Sequence, residues 1–367
     1  MMRLPFFRYV APRTVSEAAS LLADAEPGEA MLLAGGTDLL PNMKRRQQVP
    51  RLIIGLRKIA EMRRVENGKG LRLGAGLTLT EIVREARVKT LYTGLWEAAA
   101  QIATPHLRNM GTLGGNLCLD TRCNYYDQNY EWRKAINFCL KKDGDICWVA
   151  TSSPKCLAVS STDTAPALMA LGARVRLVSA SGERDVALRD LYRNDGIDYL
   201  TRRPDEILAE VILDPAEGPG APGPGAASTP GGSNAPANYR WKSTYWKLRR
   251  RGSFDFPVLS VAAAARFGKG GAIEEARIVL GSVASKPLPA DKAADFLAGK
   301  ILTDAVIADA ADLAWQIAKP MDNTDFLYHW RKRVTREFAG YALRQLRGDD
   351  MRETRSRIAH KDLSQIV

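Results

Sequence analysis

Histidine, cysteine and long apolar runs are all scarce in this sequence. Its 367 residues include only 3 histidines and 5 cysteines. No apolar run is long enough to span a bilayer, and residues 1–14 lack the sustained apolar segment of a signal peptide. We therefore expect a cytoplasmic protein that does not enter a membrane, and in the cytoplasm disulfides are disfavoured.

Patterns typical of nucleic-acid binding are lacking as well. The net charge is +12, yet the basic excess is divided among short segments at 43–46, 202–204, 247–252 and 329–336. No homeodomain, zinc-finger or RNP pattern accompanies these segments. We expect no nucleic-acid partner and interpret the charge as a solvated surface or as an interface with acidic partner subunits.

All five cysteines lie within one stretch of the chain, at Cys118, Cys123, Cys139, Cys147 and Cys156. The last four are separated by 15, 7 and 8 residues, so no C-x-x-C pair occurs. That spacing disfavours structural zinc and differs from both common ferredoxin patterns. Four thiolates from a long loop are still able to enclose an iron–sulfur cluster, with Cys118 as the spare. From spacing alone, a metal cluster and buried free thiols are equally open interpretations.

Two glycine-rich loops precede the cysteines. The first, Gly35-Gly36-Thr37-Asp38, ends the apolar strand predicted at 31–35, and the second spans residues 111–116. Glycine lets the backbone approach a ligand closely, and exposed amides in such loops bind anions. Neither loop matches the Rossmann or P-loop pattern. Together they are able to hold the two ends of one pyrophosphate, although the first loop alone is more typical of an ordinary strand-to-helix turn.

The order of the first predicted helices and strands indicates an α/β or α+β unit rather than a sandwich or a bundle, and for the whole chain we expect the α+β class with more than one domain. Residues 1–214 combine helices and strands around the glycine loops. Residues 215–238 are half proline and glycine, a composition that predicts a linker because it cannot bury a core. Residues 239–348 predict an antiparallel sheet with helices packed on it, and the charged segment 349–367 predicts a frayed end.

Three motifs in this order resemble the FAD-binding subunits of the molybdenum hydroxylase (xanthine dehydrogenase) family: LLAGGTDLLP, TPHLRNMGTLGGNLC and STDTAPALMALGA. The segment WKLRRRGSFDFPVLSVAAA resembles the start of the C-terminal domain of those subunits. The resemblance implies an FAD-binding domain of the PCMH/VAO type, built from two α/β subdomains. It also implies a C-terminal antiparallel sheet with helices, of the CO dehydrogenase flavoprotein type.

The same resemblance implies which residues contact FAD. Those expected at the cofactor are Ala34, Gly35, Gly36, Thr37, Asp38, Leu39, Thr104, Gly111, Thr112, Leu113, Gly114, Gly115, Asn116, Asp163, Leu208 and Lys247.

The cysteines fall in an insertion at 118–157 that most members of the family lack. Its opening, NLC-x-D-T-R-C, resembles the beta subunits of the 4-hydroxybenzoyl-CoA reductases within the family. That resemblance implies a [4Fe-4S] cluster bound by Cys123, Cys139, Cys147 and Cys156, with Cys118 left out.

The implied role is electron relay, with no catalytic residue on this chain. Ferredoxin would donate electrons, which would pass by way of the [4Fe-4S] cluster and FAD to [2Fe-2S] clusters on a small subunit. A molybdopterin site on a large subunit would then reductively dehydroxylate 4-hydroxybenzoyl-CoA, in a dimer of heterotrimers. The alternative is the flavin subunit of an oxidising molybdenum hydroxylase for an aldehyde, a heterocycle or CO.

Overall fold

The computed structural model describes residues 2–68, 70–215, 241–252 and 254–360. Residues 216–238 of the predicted linker and residues 361–367 of the predicted frayed end lie outside the described residues. The described part of the chain forms three sheets with helices around them. None of the described helices is long and apolar enough to cross a bilayer.

The first sheet is parallel and carries the first glycine loop. Its strands have the order β1-β3-β2 and span Arg8–Val10 (β1), Ala30–Leu33 (β2) and Leu52–Gly55 (β3). Helices α1 (Val15–Ala23) and α2 (Leu39–Lys44) connect them. The side chain of Thr14 caps α1 by accepting a hydrogen bond from the amide of Glu17. The glycine loop follows the carboxyl end of β2, the edge at which parallel sheets commonly bind ligands.

The second sheet is antiparallel, with the strand order β4-β5-β8-β6-β7. Its strands are β4 (Val65–Gly68), β5 (Gly70–Gly74), β6 (Arg174–Ser179), β7 (Gly182–Ala187) and β8 (Ile207–Leu213). Between β5 and β6 the chain forms helices α3 (Leu79–Arg84), α4 (Ala86–Leu91), α5 (Thr93–Ala100), α6 (Pro105–Arg108), α7 (Leu113–Leu117), α8 (Tyr130–Ala135) and α9 (Thr164–Ala170). Helix α8 lies within the cysteine-bearing insertion.

The third sheet is antiparallel, in the order β12-β11-β10-β9, as predicted for the C-terminal segment. Its elements are β9 (Trp241–Leu248), β10 (Leu259–Phe267), β11 (Ile273–Gly281), β12 (Leu288–Pro289), α10 (Asp291–Leu297), α11 (Asp304–Gln316), α12 (Tyr328–Arg347) and α13 (Arg352–His360).

Strand β10 joins the first half of the protein (residues 2–215) to the C-terminal half (residues 241–360), because both of its faces are buried. Ala262 and Ala264 pack into the core of the first half, whereas Val261, Ala263 and Ala265 pack against the C-terminal helices. Successive side chains of a strand point to opposite faces. A strand buried on both faces has to be mostly apolar, which explains the run VAAAA at 261–265.

The C-terminal segment is more ordered than the charge pattern predicts. Residues 352–360 form helix α13 instead of a frayed end. Arg355 donates hydrogen bonds to the carbonyl oxygen of Tyr245 and to the Gln345 side chain, and lies 4.1 Å from the ring centroid of Trp246. These contacts with β9 and α12 hold residues 352–360 in place, although their charged composition alone predicts a solvated segment.

Candidate functional site

A cavity of about 580 Å³ lies between strands β2 and β8, a volume typical of a small-molecule or cofactor site. Both glycine loops contribute to its wall. Of the residues expected at FAD, those that line the cavity are Ala34, Gly35, Gly36, Thr37, Asp38, Leu39, Gly111, Thr112, Gly114, Gly115, Asn116, Asp163 and Leu208. The fold therefore brings together two loops that are distant in sequence.

The two loops touch through their backbones. A Cβ atom on Gly35 would overlap the carbonyl oxygen of Met110, so only glycine allows this approach. The amides of Gly36 and Thr37 donate no hydrogen bond to any described residue. Free amides in a glycine loop form an anion-binding concavity, and this one is suited to a phosphate of a dinucleotide cofactor.

Three of the expected FAD residues do not line the cavity. Thr104 caps helix α6 by accepting a hydrogen bond from the amide of Leu107. Leu113 has no exposed surface and packs in the core of the first half. Lys247 does not line the cavity but contacts Asp163, which does. Lys247 therefore supports the cavity wall.

Asp163 and Lys247 form a buried ion pair, with 3.0 Å between a carboxylate oxygen and Nζ. Tyr245 donates a second hydrogen bond to the same carboxylate, at 2.7 Å. Burial raises the pKa of Asp163 and lowers the pKa of Lys247, and the charge of each partner offsets part of that effect. Through this pair, strand β9 of the C-terminal sheet holds a cavity-lining carboxylate in a defined position.

Sequence reasoning missed a second ionic group at the cavity, centred on Arg122. This buried guanidinium pairs with Asp38 and, at 3.1 Å, with Asp127, and both carboxylates line the cavity. The guanidinium also lies 4.9 Å from the ring centroid of Phe256. The only signal in the sequence was the position of Arg122 in the NLC-x-D-T-R-C opening of the insertion.

Residues 254–256 were missed as well. They belong to the connection between β9 and β10, and all three line the cavity whose remaining wall comes from the first half of the chain. Phe254 has a φ of +71°, in the left-handed region, and its amide bonds to the carbonyl oxygen of Ala103. The C-terminal domain thus contributes directly to the cavity wall.

A second, much smaller cavity of about 10 Å³ lies within the insertion. Its wall includes all four cysteines that the resemblance assigns to a cluster, together with Tyr126, Lys141 and Trp148. The four thiols are buried, and none of the five cysteines forms a disulfide. Cys118 is separate from them, because it lines the large cavity.

The backbone around two of the cysteines is unusually constrained. Cys139 follows Asn137 and Phe138, both with a φ of +60°, and precedes Asp143, with a φ of +65°. Cys156 packs against Gly196, where a Cβ atom would come within 2.6 Å of the sulfur. Left-handed non-glycine residues cost free energy and tend to occur at functional sites. Both cysteines line the small cavity.

The four thiols can be compared with the ligand sets of metal sites. Within the described residues, no group of three or more histidine, cysteine, aspartate or glutamate side chains is arranged around one metal ion. Four separate cysteines, each bound to a different iron, are the usual ligands of a [4Fe-4S] cluster. The cavity has the space of about one water molecule, so binding a cluster requires the thiols to move apart.

Burial favours the protonated form of two of these thiols, those of Cys123 and Cys156. Burial raises the pKa of Cys123 to about 12 and that of Cys156 to about 11. Since thiolates are the metal-binding form, loading the site has to release these protons.

Comparison with known proteins identifies both halves of the chain. Residues 5–215 match the FAD binding domain in molybdopterin dehydrogenase, and residues 243–346 match the CO dehydrogenase flavoprotein C-terminal domain. These matches confirm the predicted fold, an FAD-binding domain followed by a sheet with helices.

Individual relatives agree with these matches. The aldehyde oxidoreductase FAD-binding subunit PaoB of Escherichia coli (strain K12) is 32% identical over 77% of this chain and 82% of its own length. The nicotinate dehydrogenase FAD-subunit of Eubacterium barkeri is 27% identical, over 81% of each chain. A solved structure of carbon monoxide dehydrogenase from Hydrogenophaga pseudoflava superposes with a TM-score of 0.70 at 25% identity, covering 93% of this chain and 97% of the other. The family matches span both domains, and the PaoB subunit is 32% identical over 77% of the chain. The chain therefore belongs to the FAD-binding subunits of the molybdenum hydroxylase family.

Proposed function

We propose that this chain is the electron-transfer subunit of a molybdenum enzyme that reductively dehydroxylates 4-hydroxybenzoyl-CoA. The chain would hold FAD in the large cavity and a [4Fe-4S] cluster among Cys123, Cys139, Cys147 and Cys156. The observation that carries the proposal is the convergence of these four buried thiols on one small cavity, while Cys118 lies elsewhere. Free cysteines scattered for packing alone have no reason to meet in this way.

The residues present have defined tasks toward these groups. The amides of the first glycine loop are available to the FAD pyrophosphate, and Asp163, held by Lys247, is available to a hydroxyl group of the cofactor. The four cysteines would supply the thiolates. When bound, the flavin and the cluster supply electron transfer, and the protein fixes their separation and excludes water.

The second redox site, if it binds a low-potential cluster, supports the reductive direction. Reduction of an aromatic ring system requires potentials near the low end of the range of iron–sulfur clusters, which extends to about −700 mV. A low-potential cluster next to the flavin would let a donor such as ferredoxin deliver electrons. The [2Fe-2S] clusters and the molybdopterin would lie on a small and a large partner subunit, in a dimer of heterotrimers.

A second candidate is an oxidising hydroxylase, in which electrons leave through this subunit. It is favoured by the similar proteins, which are named as aldehyde oxidoreductase, nicotinate dehydrogenase and carbon monoxide dehydrogenase subunits. This candidate uses the same FAD site and leaves the four converging thiols without a role. Substrate would bind on another chain in both cases.

The test is to purify the complex anaerobically with its partner subunits. We expect flavin absorbance, an iron–sulfur signal assigned to this chain, and dehydroxylation of 4-hydroxybenzoyl-CoA driven by dithionite or reduced ferredoxin. Oxidation of an aldehyde or a heterocycle with a dye or NAD, without dehydroxylation, would establish the second candidate instead. A spectrum without flavin would contradict both.

A further inference from the structure

A buried ion pair lies between the large cavity and the small one. Lys141 Nζ is 2.8 Å from a carboxylate oxygen of Asp120, and the two side chains are only 7% and 6% exposed. Asp120 lines the large cavity, and Lys141 lines the small one. The pair therefore forms part of the wall that the two cavities share.

The position of Lys141 is fixed by three hydrogen bonds. Besides the bond to Asp120, Nζ donates at 2.6 Å to Thr121 Oγ1 and at 2.6 Å to the carbonyl oxygen of Gly196. A lysine ammonium has three N–H groups, so none remains for a sulfur atom. Any effect of Lys141 on the cysteine site must therefore come from its charge.

Asp120 is held just as firmly. Its second carboxylate oxygen accepts a hydrogen bond from Tyr126 at 3.0 Å and from Gln48 at 3.3 Å. Taking both charges of a pair out of water costs several kcal/mol, which makes a buried ion pair a weak source of stability. What distinguishes this pair is the order of its charges, with the cation on the cysteine side and the anion on the flavin side.

We propose that Lys141 and Asp120 set the reduction potential of the redox centre at the four cysteines, an inference that rests on the proposed function. A centre bound by four thiolates becomes more negative when it accepts an electron. A fixed positive charge beside it stabilises the reduced form most, and net charge is one of the factors that set iron–sulfur potentials. Lys141 thus raises the potential, and Asp120 opposes that effect.

The test is a redox titration of the purified complex, in which electron paramagnetic resonance monitors the iron–sulfur signal. Lys141→Met should make the equilibrium constant for one-electron reduction at least tenfold smaller, a shift of about 59 mV to lower potential. Asp120→Asn should shift the potential in the opposite direction, by about threefold in that constant. The matched control is Lys142→Met, which removes the same charge from a side chain that pairs with Asp143 and does not line the cavity.

Equal potentials in Lys141→Met and Lys142→Met would overturn the inference. If Lys141→Met loses its iron, Asp120→Asn decides, because it keeps the ammonium and removes the opposing charge. An unchanged or lowered potential in Asp120→Asn would then overturn the inference. An unmutated complex without any iron–sulfur signal from this chain would contradict the proposed function, whereas a normal signal insensitive to both substitutions contradicts only the role of the ion pair.

Discussion

The large cavity and the small cavity share a wall but are built in opposite ways. The large one has a volume of about 580 Å³ and takes its lining from β2, both glycine loops, β8, the C-terminal domain and the first residues of the insertion. The small one, of about 10 Å³, takes its whole lining from residues 123–158. The first presents backbone amides and fixed carboxylates, and the second presents side-chain thiols.

The large cavity is part of the main fold, whereas the small cavity belongs to the insertion. Residues of the loops that line the large cavity also pack in the main core, so the fold itself generates this cavity. The insertion has its own small apolar cluster and attaches to the end of helix α2. Gln47 donates a hydrogen bond to the carbonyl oxygen of Tyr126 at 2.5 Å, and Arg133 donates one to the carbonyl oxygen of Arg45 at 2.9 Å. Each site should consequently be separable by mutation from the other.

The largest expected effect is the loss of most bound iron in Cys139→Ser, with FAD retained. The serine hydroxyl is a poor substitute for a thiolate ligand. Cys118→Ser is the matched control and should keep its iron, because Cys118 lines the other cavity. Iron and flavin analysis of both purified variants checks this, and equal iron loss in the two would show that the ligand set is wrong.

The reverse separation is expected from Gly35→Ala. Its Cβ would overlap the carbonyl oxygen of Met110 and push the two glycine loops apart. We expect FAD to bind at least tenfold more weakly, about 1.4 kcal/mol, with iron unchanged. Flavin titration of the apoprotein measures this. Gly68→Ala is the control, since nothing lies within 4 Å of its added Cβ. Parallel loss of iron and flavin in Gly35→Ala would mean that the two sites are not separable.

An effect of comparable size is expected where Gly196 packs against the insertion. Gly196→Ala would place a Cβ 2.6 Å from the sulfur of Cys156. Overpacking of this kind costs about 1–3 kcal/mol, so the variant should unfold at lower urea and hold iron less tightly. Gly340→Ala, with open space around its added Cβ, is the control. Iron retention and stability equal to those of the control would contradict the packing of Gly196 on Cys156.

The last expected effect is a pH dependence confined to the metal-free small cavity. The folded-state pKa values of Cys123 and Cys156, about 12 and about 11, lie above the ordinary value of 9.0. The folded chain therefore binds these protons more tightly than the unfolded chain. Their contribution to stability is complete below pH 9 and is lost as the pH rises through the folded values, by about 1.4 kcal/mol per pH unit for each thiol.

Urea unfolding of the metal-free protein at about pH 8 and about pH 10 measures this loss. Cys123→Ser removes one of the two thiols, so its stability should fall less steeply over the same interval. An identical fall in the parent protein and in Cys123→Ser would show that the thiol does not carry the effect.

Much of the fold was predictable because its signals are local. The cap at Thr14, the apolar run of β10 and the glycine loops each depend on residues close in sequence. Local signals failed at residues 352–360, where tertiary contacts of Arg355 order a charged segment. They also could not place Lys247, which packs against Asp163 from another domain and supports the cavity wall.

By itself the sequence determined which groups are available: two glycine-rich loops, and four thiols in one insertion with a fifth beside the second loop. Composition and spacing specify these directly. Only the tertiary structure decided that Lys141 meets Asp120 and that Gly196 presses on Cys156. These contacts join residues 21 and 40 positions apart, and such pairs meet only once the core has closed the loops between them. For the same reason, the fold alone put Cys118 at the large cavity and the other four cysteines at the small one.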